Sequence, residues 1–201
     1  MKEYIIKEIQ SEKDITNVNK AMIDIYNWGG EYRPNAYAYL GYIKNDGFVL
    51  RLEAEEKNPR ATFTEPDQMV CQDSCLEFFA DFAPEKDKGY LNFEVNPNGA
   101  LHLYIGKSVL IRESVLKMGI KRPEGSAFKT EKSWGFEIKI PFAFLKECYG
   151  DVDFKTGYKF KGSFYKCGDK TEFPHYGSFT EIDEEKPKFH CPEFFANLIM
   201  E

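Results

Sequence analysis

Strict alternation across residues 90–96 constrains this chain more than any other stretch. Leu91, Phe93 and Val95 alternate with Tyr90, Asn92, Glu94 and Asn96, the period-2 signature of a half-buried strand. Pro97-Asn98-Gly99 follows, and Asn-Gly tolerates the positive φ of a hairpin turn, so the chain is expected to double back at once. Upstream of a charged excursion, Ser74, Leu76, Phe78 and Ala80 share one face while Asp73, Cys75, Glu77 and Phe79 share the other. Residues 73–106 therefore read as three strands. Side chains on one face of a strand stand about 7 Å apart, so Tyr90, Asn92, Glu94 and Asn96 form a continuous row. An aromatic, two amides and a carboxylate are groups that read hydroxyls, and the row is expected to face water.

The remaining chain repeats this strand grammar. Residues 4–9 read as a strand and 14–26 as either a helix or an entry loop. Residues 27–34 mix a Trp, two glycines and a proline and read as a loop that presents side chains. Residues 37–44 and 48–54 flank Asn45-Asp46-Gly47, the strongest hairpin signal present. The stretch 107–132 is weakly patterned and reads as a long connection with room for an edge strand. Trp134, Phe136, Ile138 and Ile140 alternate inward until Pro141, which cannot donate to a ladder. Residues 142–149 make the best short helix, 158–167 another strand, and 175–201 a loop that closes with a strand near 195–200. Eight or nine short strands without a βαβ rhythm predict an all-β fold. The expectation is a single domain over 1–201, an antiparallel β-sandwich of the jelly-roll class with one or two short helices.

Composition narrows the partners. Acids and bases are interspersed, the net charge is −6, and neither a nucleic-acid groove nor an anionic membrane surface is favoured. Aromatics reach 16%, with 18 Phe, 12 Tyr and 2 Trp, which provides stacking surfaces. Five cysteines are an odd set without C-x-x-C spacing, so neither a zinc knuckle nor a complete disulfide framework is encoded. His102, His175 and His190 share no metal-ligand spacing. No signal-peptide-like or membrane-spanning apolar run is present, so the chain is expected to be cytoplasmic, with free thiols in a reducing compartment. The oligomeric state is not indicated.

Several strings resemble carbohydrate-binding modules of family 9 and their DOMON-like relatives. They are Gln72-Asp73-Ser74-Cys75-Leu76-Glu77-Phe78-Phe79, Tyr90-x-Asn92-Phe93-Glu94-x-Asn96, Glu137-x-x-Ile140-Pro141 and Phe189-His190-x-Pro192-Glu193-x-Phe195, with Trp28 to Pro34 near the start. The resemblance implies a β-sandwich that binds, without cleaving, the end of a cellulose- or xylan-type glycan or a small sugar. In such modules two rings sandwich the sugar, charged and amide side chains bond its hydroxyls, and calcium supports the loops. Glu77 matches the family's strand carboxylate, and Glu94 stands where the family places a basic residue. The late stacking aromatic aligns with Phe179. Val70 and Cys71 replace the earlier stacking Trp.

The candidate sugar-binding set is thus Glu77, Tyr90, Asn92, Glu94, Asn96, Arg112, Trp28, Tyr176 and Phe179, with Trp28, Tyr32, Tyr176 or Phe179 able to rebuild a stacking wall. No metal ligand set is assigned, although loop oxygens from Asp81, Asp87, Asp151 or Asp153 suit calcium. Two other readings stay open. Glu77 and Glu94 share a face, and two carboxylates about 5–5.5 Å or roughly 6.5–9.5 Å apart are the equipment of glycoside hydrolysis. Alternatively, the polar face contacts another protein, which a flat aromatic patch without a concavity favours.

Overall fold

The computed structural model describes residues 2–201. In chain order the strands are β1 (Glu3–Glu8), β2 (Lys20–Ile23), β3 (Ile25–Gly29), β4 (Asn35–Ile43), β5 (Gly47–Glu55), β6 (Cys75–Asp81), β7 (Tyr90–Val95), β8 (Leu101–Ser108), β9 (Ile111–Ser114), β10 (Gly125–Lys129), β11 (Trp134–Pro141), β12 (Lys159–Cys167), β13 (His175–Ser178) and β14 (Ala196–Met200). One helix, α1 (Phe142–Tyr149), and short 3-10 turns complete the chain. The strands form two layers. The first runs β10-β11-β5-β4-β1, with β2 on β4, and the second runs β14-β12-β6-β7-β8-β9, with β13 attached to β12 and β3 to β13. β1 belongs to both. Its first half pairs in parallel with β14, its last two residues in parallel with β4, and the other ladders are antiparallel.

The layers meet through the faces that alternation marks as apolar. Leu76, Phe78 and Ala80 on β6, Leu91, Phe93 and Val95 on β7, and Trp134, Phe136, Ile138 and Ile140 on β11 all enter one core. Phe78 stacks on Phe164 at 5.0 Å and Phe82 on Phe160 at 4.9 Å, and Phe48 of the first layer meets Phe82 and Phe160 at 5.4 Å, so rings from the two layers interlock. Pro141 stops β11 and precedes α1, and Gly150 ends the helix at φ 85. Asn45, not Gly47, carries the positive φ of the β4–β5 turn. Gly47 is needed for a different reason, because a Cβ there would stand 2.5 Å from the Ile140 carbonyl oxygen.

Several expectations are corrected. Fourteen strands form among the described residues instead of eight or nine, because strands of four or five residues carry too little alternation to be read. Trp28 is not in a loop: β3 continues through it and pairs it with Tyr176 on β13. The region 107–132 holds both β9 and β10. The acids Asp87, Asp151 and Asp153 pair with Lys107, Lys146 and Lys155, and among the described residues they and Asp81 do not converge on a common point. No helix of the described residues is long and apolar enough to cross a membrane.

One polar element lies inside the sandwich. Lys166 on β12 is fully buried on the core side, with Nζ 3.2 Å from Glu56 Oε2 and bonded to the Cys167 carbonyl at 2.7 Å and His175 Nε2 at 2.8 Å. Glu56 also accepts bonds from Ser74 Oγ and Trp134 Nε1. Residues from both layers thus share one carboxylate. His175 Nδ1 bonds the Phe173 carbonyl, so Nε2 is the acceptor for lysine and the ring is neutral. Burial, then the neighbouring lysine, lowers His175 to about 4.

Breaking a buried pair on one side leaves the other charge uncompensated. Lys166→Met is therefore expected to cost about 3–5 kcal/mol in urea unfolding, and adding Glu56→Gln to recover part of that loss. A second expectation concerns acid. Between pH 6.5 and about 4 the unfolded chain protonates His175 while the folded chain does not, so its contribution falls as pH drops through that window. Asp81, raised to about 6 mainly by burial, acts in the opposite sense. The stability difference between wild type and His175→Gln, measured from pH 7 to 4, isolates the histidine and should shrink toward acid.

Candidate functional site

The site is built on the outer face of the second layer, and sheet register assembles it. β6 and β7 place Glu77 directly opposite Glu94, and β7 and β8 place Glu94 opposite His102. Directly opposed residues have Cβ atoms roughly 4.5–5.5 Å apart, so three titratable groups form a line across the floor. Arg112 on β9 reaches back over Tyr104, its guanidinium 5.1 Å from the ring centroid, and brings Nη1 to 3.3 Å from Glu94 Oε1. Asn92 Nδ2 donates to the same carboxylate oxygen at 2.8 Å.

This floor does not face open water. Glu77 is 3% exposed, Glu94 5% and Asn92 0%. The segment between β13 and β14 crosses the face: Phe189 stacks on Tyr165 at 4.4 Å and the His190 ring lies 4.7 Å from that of Phe79. The expected open platform is therefore absent, and a recessed cleft of about 230 Å³ takes its place. Glu77, Glu94 and His102 form its floor, Arg112 and His190 one wall, Tyr176 and Phe189 contribute aromatic surface, and Met69 and Val109 stand exposed at its lip. The volume is below the roughly 300–1,000 Å³ of sites for drug-sized ligands, so one ring-sized group fits.

Electrostatics marks out Glu77. Burial, reinforced by the facing Glu94, pushes Glu77 well above the usual carboxylate range. Cys167 Sγ lies 3.0 Å from Glu77 Oε1 as its thiol donor. Burial and the adjacent Arg112 lower His190 to about 3, leaving the ring neutral. Its Nε2 faces Arg112 Nη1 at 3.5 Å and so accepts, which leaves Nδ1–H to donate to the Tyr90 hydroxyl at 2.8 Å.

The residues singled out from the sequence separate into distinct locations. Glu77, Glu94, Arg112 and Tyr176 line the cleft. Tyr90 lies beneath His190 and orients it, and Asn92 stands behind Glu94. Asn96 is buried at the β7–β8 turn, where it bonds Asp73 and the Phe63 carbonyl and accepts the amides of Asn98 and Ala100. Trp28 packs behind Phe189 at 6.3 Å and donates to the Glu184 carbonyl. Phe179 is 4% exposed, packs on Tyr4 and Phe164 in the core, and does not line the cleft. Residues 176 and 179 are an odd number apart, so they point to opposite sides of the layer. His102, His190, Phe189, Cys71 and Cys167 line the cleft without having been singled out. Phe189-His190 stood in a quoted string and Cys71 at the place of the family's stacking Trp, whereas spacing gave no signal for His102 and Cys167.

Residues 8–200 match the family model described as carbohydrate-binding family 9. Among solved structures, a candidate carbohydrate-binding protein from Bacteroides uniformis superposes with a TM-score of 0.81 at 27% identity, covering 100% of this chain and 99% of its own. A family 9 carbohydrate-binding module from Caldicellulosiruptor kristjanssonii in complex with cellotriose gives 0.71 at 12% identity, covering 100% and 94%. A family 9 module from the same organism in complex with glucose gives 0.69 at 12%, covering 100% and 96%. Among curated proteins none matches.

Asn96 serves the scaffold in this geometry. Asn96→Ala removes four hydrogen bonds and leaves buried partners unsatisfied, so thermal unfolding should report a loss of about 2–4 kcal/mol.

Proposed function

The chain belongs to carbohydrate-binding family 9, and from that premise we propose that the cleft over Glu77 and Glu94 holds the terminal ring of a glucose- or xylose-based oligosaccharide without cleaving it. The observation that carries this reading is the floor itself: two carboxyls paired across neighbouring strands, with Arg112 beside them, in a recess sized for one ring and bordered by Tyr176 and Phe189. Sugar hydroxyls need directed donors and acceptors, which Arg112, Glu77 and Glu94 supply, while the C–H faces of the ring stack on aromatic surface. Cellotriose and glucose in the two Caldicellulosiruptor modules support a gluco-configured ligand. A free chain end suits a closed recess better than a polymer crossing an open face. The five thiols are free, in keeping with a reducing, cytoplasmic setting.

Binding is favoured over hydrolysis by the arrangement of the carboxyls. A glycosidase needs them to flank the scissile bond. Here both rise side by side from one sheet floor, and Glu94 is already engaged by Arg112 and Asn92. A protein-docking role for this face is disfavoured by the concavity.

Isothermal titration with glucose, cellotriose and xylotriose tests the assignment. Glu94→Gln and Tyr176→Ala are each expected to weaken binding about tenfold or more, the size of one lost charged hydrogen bond or stacking contact. Unchanged affinity in both would remove the cleft from consideration. Release of shorter sugars from cellotriose would overturn the non-catalytic reading.

A further inference from the structure

Beneath the cleft, the sheet brings together three groups that are scattered in the sequence. Cys75 and Glu77 are two residues apart on β6 and so project from the same outer face. The β6–β12 register sets Cys167 directly across from Cys75. The two Sγ atoms and a Glu77 carboxylate oxygen all lie within 4.8 Å of one another, and all three residues are buried. Around one tetrahedral zinc, bonds of about 2.3 Å to sulfur and about 2.0–2.2 Å to oxygen put neighbouring donors under roughly 4 Å apart. Side-chain shifts of about 1 Å or less therefore close the three onto one ion.

The charge around them points the same way. Glu77 faces Glu94, and Arg112 is engaged with Glu94. Lys166, though next in sequence to Cys167, projects to the opposite side of the sheet toward Glu56. Two buried carboxyls and two buried thiols thus meet with one guanidinium among them, a grouping that costs desolvation energy unless it stays protonated or gains a cation. A bound divalent ion reverses that balance by displacing the thiol protons to solvent.

We propose that Cys75, Glu77 and Cys167 form a site for a soft divalent cation of the zinc class at the base of the cleft, with a fourth position open toward Cys71 and the cleft interior. Two thiolates among three donors select against calcium and magnesium, which take oxygen ligands. The inference is independent of the sugar assignment, although Glu77 is common to both.

The test is a titration of reduced, chelator-treated protein with Co²⁺, followed by absorbance and then displaced with Zn²⁺. One Co²⁺ per chain is expected, with a thiolate-to-cobalt charge-transfer band in the near ultraviolet that Zn²⁺ abolishes. Cys75→Ser and Cys167→Ser should each weaken binding about tenfold or more, as loss of a ligand does. Cys148→Ser, which alters a buried thiol on α1, should leave it unchanged. Glu77→Gln keeps the volume of the site; it is expected to retain the band with about tenfold weaker affinity, which keeps the test open should the serine variants fail to fold. Absence of a charge-transfer band in the wild type, or a band that persists in the folded Cys75→Ser/Cys167→Ser double variant, overturns the site. Repeating the cellotriose titration on stripped and zinc-loaded protein separates the two readings: loss of metal binding with sugar binding intact sinks only this one.

Discussion

Lys166 sets an ammonium group where water does not reach, and Glu56 is what makes that position tolerable. The carboxylate also receives Ser74 and Trp134, so one anion gathers side chains from both layers at one end of the sandwich. Such a joint has a directional quality that apolar packing lacks. Phe48 against Phe160 would tolerate some sliding of one sheet over the other, whereas a buried lysine shared by a carboxylate, a histidine and a carbonyl admits one arrangement. The cleft lies on the other face of the same strand. Cys167, adjacent to Lys166, faces the outer side, and His175 leads directly into Tyr176 on the cleft wall. The position of the floor against its cover is thus referred to the core through β12 and β13.

The outer face becomes a recess because of what crosses it. A sheet with polar groups outward ordinarily ends in water. Here Phe189 and His190 lie on Phe79, Tyr90 and Tyr165, so rings fill the space at one end of the floor and leave the remainder open at the other. Closing the face has electrostatic consequences: the same cover that shapes the cleft dries Glu77 and His190 and drives their proton affinities in opposite directions, up for the acid and down for the base.

Much of this was legible in residue order, and the limits follow physical lines. The β4–β5 hairpin, the β7 ribbon, β11 and α1 were readable because each carries sustained periodicity bounded by Gly, Pro or Asn. β3, β9 and β13 were not, since four or five residues are too few to show a period, and in β3 and β13 aromatics and glycine blur it further. Alternation correctly separated Glu77 and Glu94 from the core side of their strands. It is silent on what lies over the other side, and the cover comes from residues about a hundred positions downstream. The same blindness explains Phe179, placed by a motif on a ligand and by packing in the core. Asn96 read as a ligand group, yet its two amide ends are consumed by a turn and a loop. Lys166 was the opposite case, a charged residue in a strand whose charge is met by a glutamate more than a hundred residues earlier.

β1 is zipped to β14 along one half and to β4 along the other, and the cover over the cleft runs straight into β14. The recess therefore cannot be completed until the first and last strands have met. Closing a loop of nearly the whole chain is an entropically late event. A nascent or partly assembled molecule would have its hairpins in place while its recognition surface was still missing, so that competence to bind reports completion of the entire fold.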